Sequence, residues 1–78
     1  MQIEEILTAV AQRIVDYPEE VAVEVQEAGN MTVYVLYVDE RDRGKIIGKR
    51  GRTADSLRAL MMAFTGKDRR RYLLEIVQ

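Results

Sequence analysis

A basic turn between two glycines is the part of this sequence best suited to chemistry. Residues 44–51 read Gly-Lys-Ile-Ile-Gly-Lys-Arg-Gly, so two apolar residues lead into a turn with Lys49 and Arg50 at its tip. Gly48 and Gly51 lack a Cβ atom, which permits positive φ angles and close approach of another molecule's backbone. If a helix begins directly after the turn, its free N–H groups and positive dipole end point at the same place. The segment therefore predicts a site for the phosphates of a sugar-phosphate chain.

The composition argues against catalysis. The chain has no Cys and no His, which excludes disulfides, thiolate nucleophiles, zinc sites of the usual kind and the ordinary imidazole base. The adjacent carboxylates Glu4–Glu5 and Glu19–Glu20 do not form an acid–base pair, because neighbours on a helix do not share a face. We therefore expect a protein that is not an enzyme and that carries neither a cofactor nor a metal.

The length and the termini bound the architecture. A chain of 78 residues favours one domain over residues 1–78, with a core that leaves a thin stability margin. The amino terminus reads Met-Gln-Ile-Glu-Glu, acidic where a secretory signal is basic, and no apolar run approaches the ~20 residues needed to span a bilayer. The expectation is a cytoplasmic protein without membrane contact.

The net charge of −1 conceals a strong asymmetry along the chain. Residues 1–40 carry a net charge of −8, and residues 41–78 carry +7. If the fold brings the basic residues together, they make a positive surface for nucleic acid, whereas the alternative interpretation is two solvated loops. Most of these basic residues form two blocks, one of Arg41, Arg43, Lys45, Lys49, Arg50 and Arg52, the other of Lys67, Arg69, Arg70 and Arg71.

Apolar periodicity in the first half predicts a helix followed by a hairpin. Helical spacing predicts a first helix over about residues 2–15, which ends before Pro18. Alternation over residues 21–25, turn chemistry at 28–30 and the strand formers of 31–38 predict two antiparallel strands. The second strand is apolar on both faces, as expected for a central strand.

The second half predicts two helices and a last strand. Asp39 offers an N-cap for a short helix that runs to about Ile47. A third helix follows the turn and ends at Gly66, a typical C′ residue. Residues 67–71 then form a loop, and residues 72–77 form a strand parallel to the central one, joined by a right-handed crossover. The fold class is α+β, in the order αββααβ, with three helices on one face of a three-stranded mixed sheet. The buried face of the third helix is predicted from Ala54, Leu57, Leu60, Met61 and Phe64.

The turn, the element order and the length together resemble a KH domain of the bacterial type II form. The run Ile-Ile-Gly-Lys-Arg-Gly at residues 46–51, between two helices, is similar to the signature loop of that family. The resemblance covers the whole chain. It implies that the four-residue loop grips the backbone of single-stranded RNA, while an apolar groove beside it holds about four unpaired nucleotides.

The resemblance also implies a biological setting. It indicates RNA-level control, as an RNA chaperone or post-transcriptional regulator, linked to cell elongation and envelope homeostasis. The implied partner is a larger protein that joins a KH domain to a second nucleic-acid-binding domain.

The family pattern assigns candidate site residues at matching positions. Gly48 and Gly51 match the loop glycines, and Ala54 departs from the pattern, because many KH domains have a larger aliphatic residue there. We expect Ile47, Leu57 and the edge near Tyr72 and Leu74 to line the base groove. The loop at residues 67–71 is expected to add contacts to the RNA backbone. The candidate RNA-binding residues are Ile46, Ile47, Gly48, Lys49, Arg50, Gly51, Arg52, Leu57, Arg69, Arg70 and Tyr72.

Two other classes of function are considered. A helix-turn-helix that binds DNA would also place basic residues between two helices, but the following helix becomes apolar after Arg58 instead of presenting base-reading side chains. The second is a KH-fold interaction module with weak intrinsic RNA affinity. The apolar run at residues 59–64 cannot all face one core, which favours a partner subunit, such as a second copy in a homodimer, that covers Met62. The alternative is a partly exposed Met62 on an otherwise ordinary helix.

Overall fold

The computed structural model describes residues 2–66 and 68–77, and within them three helices lie on one face of a three-stranded sheet. This confirms the predicted α+β architecture and the order αββααβ. Short 3₁₀ turns occupy Pro18–Glu20, Glu40–Asp42 and Lys49–Gly51. The main elements are α1 (Ile3–Ile14), β1 (Ala22–Ala28), β2 (Met31–Tyr37), α2 (Arg43–Ile47), α3 (Arg52–Thr65) and β3 (Arg71–Val77).

The sheet has β2 at its centre, with strand order β1-β2-β3. β1 pairs with β2 antiparallel, and the hairpin turns through Gly29, whose φ of +61° favours a residue without a side chain. β2 pairs with β3 in parallel, in a register that places Met31 opposite Arg71. The parallel pair is possible because α2 and α3 carry the chain back across the sheet between the two strands.

The hydrophobic core lies between β2 and the three helices. Leu7, Leu36 and Ile46 are fully buried at its centre. α1 packs over β1 and β2, while α2 and α3 pack against β3. The remaining buried members of the core are Ala11, Val15, Val21, Tyr34, Val38, Leu57, Met61 and Leu74.

A buried carboxylate links the end of α1 to the start of α2. Asp42 is fully buried, and its two oxygens accept hydrogen bonds from the backbone N–H groups of Asp16 at 3.0 Å and Tyr17 at 2.9 Å. Next to it, the Arg41 guanidinium lies 3.5 Å from the centre of the Tyr17 ring and bonds Asp39. These contacts fix the point from which α2 runs to the glycine turn.

Several local expectations are corrected by the structure. Phe64 is 59% exposed, because the buried stripe of α3 follows residues 54, 57, 61 and 65 and leaves position 64 at its edge. Gly66 has a right-handed φ of −61°, so it is not the left-handed C′ residue predicted. Asp39 caps the 3₁₀ turn before α2, through the Arg41 N–H, and Arg71 belongs to β3 instead of the preceding loop. Lys67, predicted in that loop, lies outside the described residues.

Candidate nucleic-acid interface

The turn between α2 and α3 is built from residues with positive φ. Gly48 has φ 76° and Gly51 has φ 75°, as their lack of a side chain allows. Arg50 has φ 57° and is the one non-glycine residue with positive φ in the described part of the chain. Such conformations cost free energy in an ordinary residue and cluster at functional sites. The backbone here is held by hydrogen bonds from Gly48 N–H to Gly44 O (2.8 Å) and from Gly51 N–H to Gly48 O (3.1 Å).

The two loop glycines are needed for different reasons. A Cβ atom on Gly48 would lie 2.8 Å from the backbone nitrogen of Thr53 and would also meet its side chain. A Cβ on Gly51 would meet nothing within 4 Å. Gly48 is therefore required both because a Cβ atom would collide with Thr53 and because its φ angle is positive. Gly51 is required only because its φ angle is positive.

The basic side chains of the first block divide into paired and unpaired groups. Lys45 donates to Asp16 at 2.6 Å, which raises the pKa of the lysine, and Arg41 is bonded to Asp39. Lys49, Arg50 and Arg52 are exposed, and none of them forms an ion pair within residues 2–66 and 68–77. Within this block, the cations without an ion pair among the described residues are therefore Arg43 on α2 and the three at the turn and the start of α3. The free N–H groups in the first turn of α3 point towards the same basic side chains.

The apolar candidates lie at different depths. Ile46 and Leu57 are 0% and 2% exposed and belong to the core, so they support the turn from below instead of offering a surface. Ile47 is partly exposed beside the turn. Of the three, Ile47 is the side chain that a bound base can reach in this conformation.

The second basic block lies at the other end of α3. α3 has 14 residues and spans about 20 Å, so the two basic blocks are separated by the length of this helix. They do not form the single positive surface that one interpretation of the sequence predicted. The Arg70 guanidinium is partly withdrawn from solvent: it donates to Thr32 Oγ1 at 3.0 Å and Met31 O at 3.1 Å, and it lies 3.4 Å from Glu27. Arg70 therefore braces the hairpin, whereas Arg69 is exposed.

Tyr72 orders the segment that leads into β3. Its ring stacks on Tyr34, with centroids 6.3 Å apart, and its hydroxyl donates to Asp68 at 2.6 Å. This bond lowers the pKa of Asp68 and raises the pKa of Tyr72. Asp68 also accepts the Arg70 N–H. Tyr72 is consequently a half-buried residue at the margin of the core.

The chain is similar in sequence to known proteins. The family model described as the KhpA/KhpB KH domain matches residues 4–76. The chain belongs to this family of KH domains. RNA-binding protein KhpA of Listeria monocytogenes is 35% identical over 75 residues, which cover 96% of this chain and 99% of the relative. RNA-binding protein KhpA of Chlamydia trachomatis is 38% identical over 74 residues, covering 95% of each chain.

Solved structures share the fold of this KhpA/KhpB domain. Era of Aquifex aeolicus, bound to GDP and AlF4⁻, superposes with a TM-score of 0.59 at 26% identity, over 95% of this chain and 29% of that one. A structure of Era in complex with MgGDPNP and nucleotides 1506–1542 of 16S ribosomal RNA gives 0.60 at 24% identity, over 96% of this chain and 30% of that one. The present chain therefore corresponds to under a third of those proteins.

One residue of the KhpA/KhpB loop region was not assigned from the sequence. Gly44 is exposed on α2, one turn before Gly48; its φ is not positive, and a Cβ there would meet nothing within 4 Å. Neither backbone conformation nor packing within the chain requires glycine here. Glycine within a helix lowers the stability of the folded state by about 0.5–1 kcal/mol relative to alanine. Because nothing within the chain explains this loss at Gly44, the position is a candidate for close contact with a ligand.

The described part of the chain contains no helix that is long and apolar enough to cross a membrane.

Proposed function

We propose that this chain binds single-stranded RNA and that the turn at residues 48–51 grips the RNA backbone. The observation that carries the proposal is the turn of positive-φ residues before α3, where Lys49, Arg50 and Arg52 form no ion pair with any residue that the structure describes. Oriented N–H groups and free cations together favour phosphates. Membership of a family whose curated relatives are named RNA-binding proteins supports the same assignment.

In this proposal the side chains have distinct tasks. Lys49, Arg50, Arg52 and the N–H groups of the turn bind phosphates. Ile47 and the bare backbone at Gly44 form the wall against which bases lie, with Ile46 and Leu57 holding that wall in place. Arg69 adds a backbone contact, Arg70 braces its loop, and the backbone edge of β3 at Tyr72 and Leu74 closes the groove, with the Leu74 side chain buried in the core.

The experiment that tests the site is a binding titration against a short single-stranded RNA at several salt concentrations. The variant Lys49→Asp/Arg50→Asp should bind about tenfold more weakly or worse, because two phosphate contacts become repulsions. Asp is tolerated in the left-handed region that Arg50 occupies, so the turn should keep its shape. The control Arg13→Asp/Lys45→Asp makes the same change of charge, at α1 and at the Asp16 ion pair.

Circular dichroism and urea unfolding establish that each variant is folded. Equal loss in the two variants would mean that net charge alone governs binding, and unchanged affinity in the loop variant would remove the turn from the site. If wild type fails to bind even at low salt, the interaction-module interpretation becomes the better account. The exposed Met62 (50%) and Phe64 (59%) favour that second candidate.

We further infer that the chain acts in RNA-level control in the cytoplasm, as an RNA chaperone or post-transcriptional regulator. The family name joins KhpA to KhpB, which supports a larger KH-domain protein as partner, and the resemblance supports a role in cell elongation and envelope homeostasis. Co-purification of this chain with KhpB of the same organism, with and without nuclease, tests the partnership. Cell length and envelope-stress tolerance after deletion test the role, and normal values in both would refute it.

A further inference from the structure

We propose that the open face of the sheet is a docking surface for a basic amphipathic helix of a partner protein. The three helices of the described chain pack on the other face, where Tyr34, Leu36 and Leu74 enter the core. The residues that alternate with these on β2 and β3 point the opposite way. β2 is apolar on this side too, and together with β3 it forms an apolar strip of Met31, Val33, Val35, Tyr37, Leu73 and Val77.

The chain itself covers only part of this apolar strip. Leu73 is 45% exposed, and the other members of the strip, apart from Val35, are partly exposed. Val35 is 4% exposed and lies outside the core cluster, in the middle of the strip, where the flanking strands place Glu24 and Glu75 beside it. An apolar centre with a polar rim is typical of a surface that binds another protein.

The two carboxylates beside Val35 define the charge of the partner. Glu24 and Glu75 are exposed, and neither forms an ion pair with any residue that the structure describes. Both stand opposite Val35 in the register of the sheet, so their backbones are two strand spacings apart, or about 10 Å. A helix with its side chains is about 10–12 Å wide, so a helix lying along β2 would bring one flank to each carboxylate. Lysine or arginine on both flanks would then pair with them.

The end of the sheet beyond Tyr37 is also acidic. The segments that follow Tyr37 and precede its partner Ala22 line an open hollow of about 740 Å³, formed by Glu20, Val38, Asp39, Glu40 and Arg41. The cation among these residues, Arg41, is already bonded to Asp39. The positive N-terminal end of a helix suits this end of the strip, whereas Arg71 at the opposite end suits the carbonyl groups of the helix C-terminus.

The dimensions and charge of the strip favour a cationic helix over other occupants. The seven residues of β2 extend about 20 Å, which corresponds to about 14 residues of helix. RNA and anionic lipid would be repelled by the carboxylates of this face. The turn at residues 48–51 lies in the helical layer on the other face, so a helix bound to the strip leaves it open. On the proposed function, the chain would then join an RNA to a partner protein.

A model helix tests the charge pattern of this face. The probe is a fluorescent peptide of about 15 residues, with leucines at helical i, i+3, i+4 spacing and lysines on both flanks, and a matched peptide carries glutamates in place of the lysines. Fluorescence anisotropy should show that wild type binds the lysine peptide at least about tenfold more tightly than the glutamate peptide. Glu24→Lys/Glu75→Lys should reverse this preference, because both pairs change sign. The control Glu4→Lys/Glu5→Lys makes the same change of charge on α1 and should keep the wild-type preference.

The apolar part of the surface is tested separately. Leu73→Ser should weaken binding of the lysine peptide about fivefold, because the leucine no longer buries its exposed surface under the helix. Phe64→Ser on α3, which also removes an exposed apolar side chain, is the control and should bind the peptide as wild type. Leu73→Ser should leave the affinity for single-stranded RNA unchanged.

Three results with the peptides would overturn the proposal: no binding of the lysine peptide to wild type up to about 1 mM, no gain of affinity for the glutamate peptide in Glu24→Lys/Glu75→Lys, or normal binding in Leu73→Ser. A gain in the charge-reversed variant also shows that this variant is folded.

Other occupants of the face give different results. Binding to phosphatidylglycerol vesicles that Leu73→Ser abolishes would assign the face to lipid. A smaller mass of Leu73→Ser than of wild type in sedimentation would assign it to a second copy, and weaker RNA binding by Leu73→Ser would assign it to RNA. Each of these results would overturn the proposal, whereas failure of the RNA site at the turn would leave the peptide results unchanged.

Discussion

At the scale of the residue, three glycines around the turn perform three different tasks. Gly48 is required by both space and conformation, Gly51 by conformation alone, and Gly44 by neither. The same residue type is therefore present at the three positions for different physical reasons, and substitution by alanine can distinguish them.

The first prediction concerns the two loop glycines. Gly51→Ala should lower the free energy of unfolding by about 1–2 kcal/mol, the cost of holding a side chain in the left-handed region. Gly48→Ala should cost more, because the new Cβ also meets the backbone of Thr53 at 2.8 Å. Urea unfolding of both variants measures the difference. Equal losses would mean that the Thr53 contact is relieved by a small movement of the turn.

The second prediction concerns Gly44. Gly44→Ala should raise the free energy of unfolding by about 0.5–1 kcal/mol, because alanine is the better helix former and its Cβ finds open space. If a base lies against this backbone, the same variant should bind RNA more weakly. Unfolding and RNA titration on one preparation test both halves. A variant that is stabilised and binds normally would exclude Gly44 from the groove.

At the scale of the element, the position of α2 depends on the buried Asp42. This five-residue helix is too short to be stable alone, so contacts at its start must place it. The Asp42 carboxylate supplies them by accepting two N–H groups from the segment after α1.

The third prediction follows from this link. Asp42→Ala should lower the free energy of unfolding by about 2–4 kcal/mol, because two N–H groups lose their acceptor in a buried site. Asp42→Asn should cost less, since one amide oxygen can still accept. Chemical denaturation measures both. Lys45→Ala, which removes only the exposed pair with Asp16, is the control and should change stability little. Similar effects for Asp42→Ala and Lys45→Ala would show that α2 is placed by apolar packing instead.

At the scale of the whole molecule, charge is separated from side to side. The acidic residues of the first half lie mainly on α1, β1 and the segment between them, while Lys49, Arg50 and Arg52, which form no ion pair with any residue that the structure describes, lie at the α2–α3 turn. Since α1 packs over β1 and β2 while α2 and α3 pack against β3, most of these acidic residues lie over a different part of the sheet from the turn. Under the proposed function, the basic turn would attract RNA and the acidic elements would repel it.

The fourth prediction concerns this polarity. For about three neutralised phosphates, the logarithm of the binding constant should fall with the logarithm of salt at a slope of about −2. Glu4→Gln/Glu5→Gln should speed association at low salt, and the gain should vanish as salt screens distant charges beyond about 8 Å. Stopped-flow association at several salt concentrations measures both. A gain that persists at high salt would indicate a direct contact near α1.

The order of the elements and the position of the glycine turn could be predicted from the amino-acid sequence. Helical and alternating periodicities are local properties of a chain, so they predicted α1, β2, α3 and β3 to within one residue at each end, whereas β1 runs to Ala28, three residues beyond the predicted alternation. The two glycines likewise predicted positive φ angles at residues 48 and 51, because other residue types adopt such angles only at a cost in free energy.

Which side chains are free to bind a ligand could not be predicted, because it depends on the contacts that the folded chain makes. Lys45 and Arg70 look like Lys49 and Arg52 in the sequence, yet each is bound to an acidic residue more than 25 positions away. Phe64 fits the helical stripe but lies outside the packed face. The Asp42 link also depends on contacts between segments that are distant in the sequence. Ion pairing and side-chain burial depend on which elements pack together, and a local sequence pattern does not contain this information.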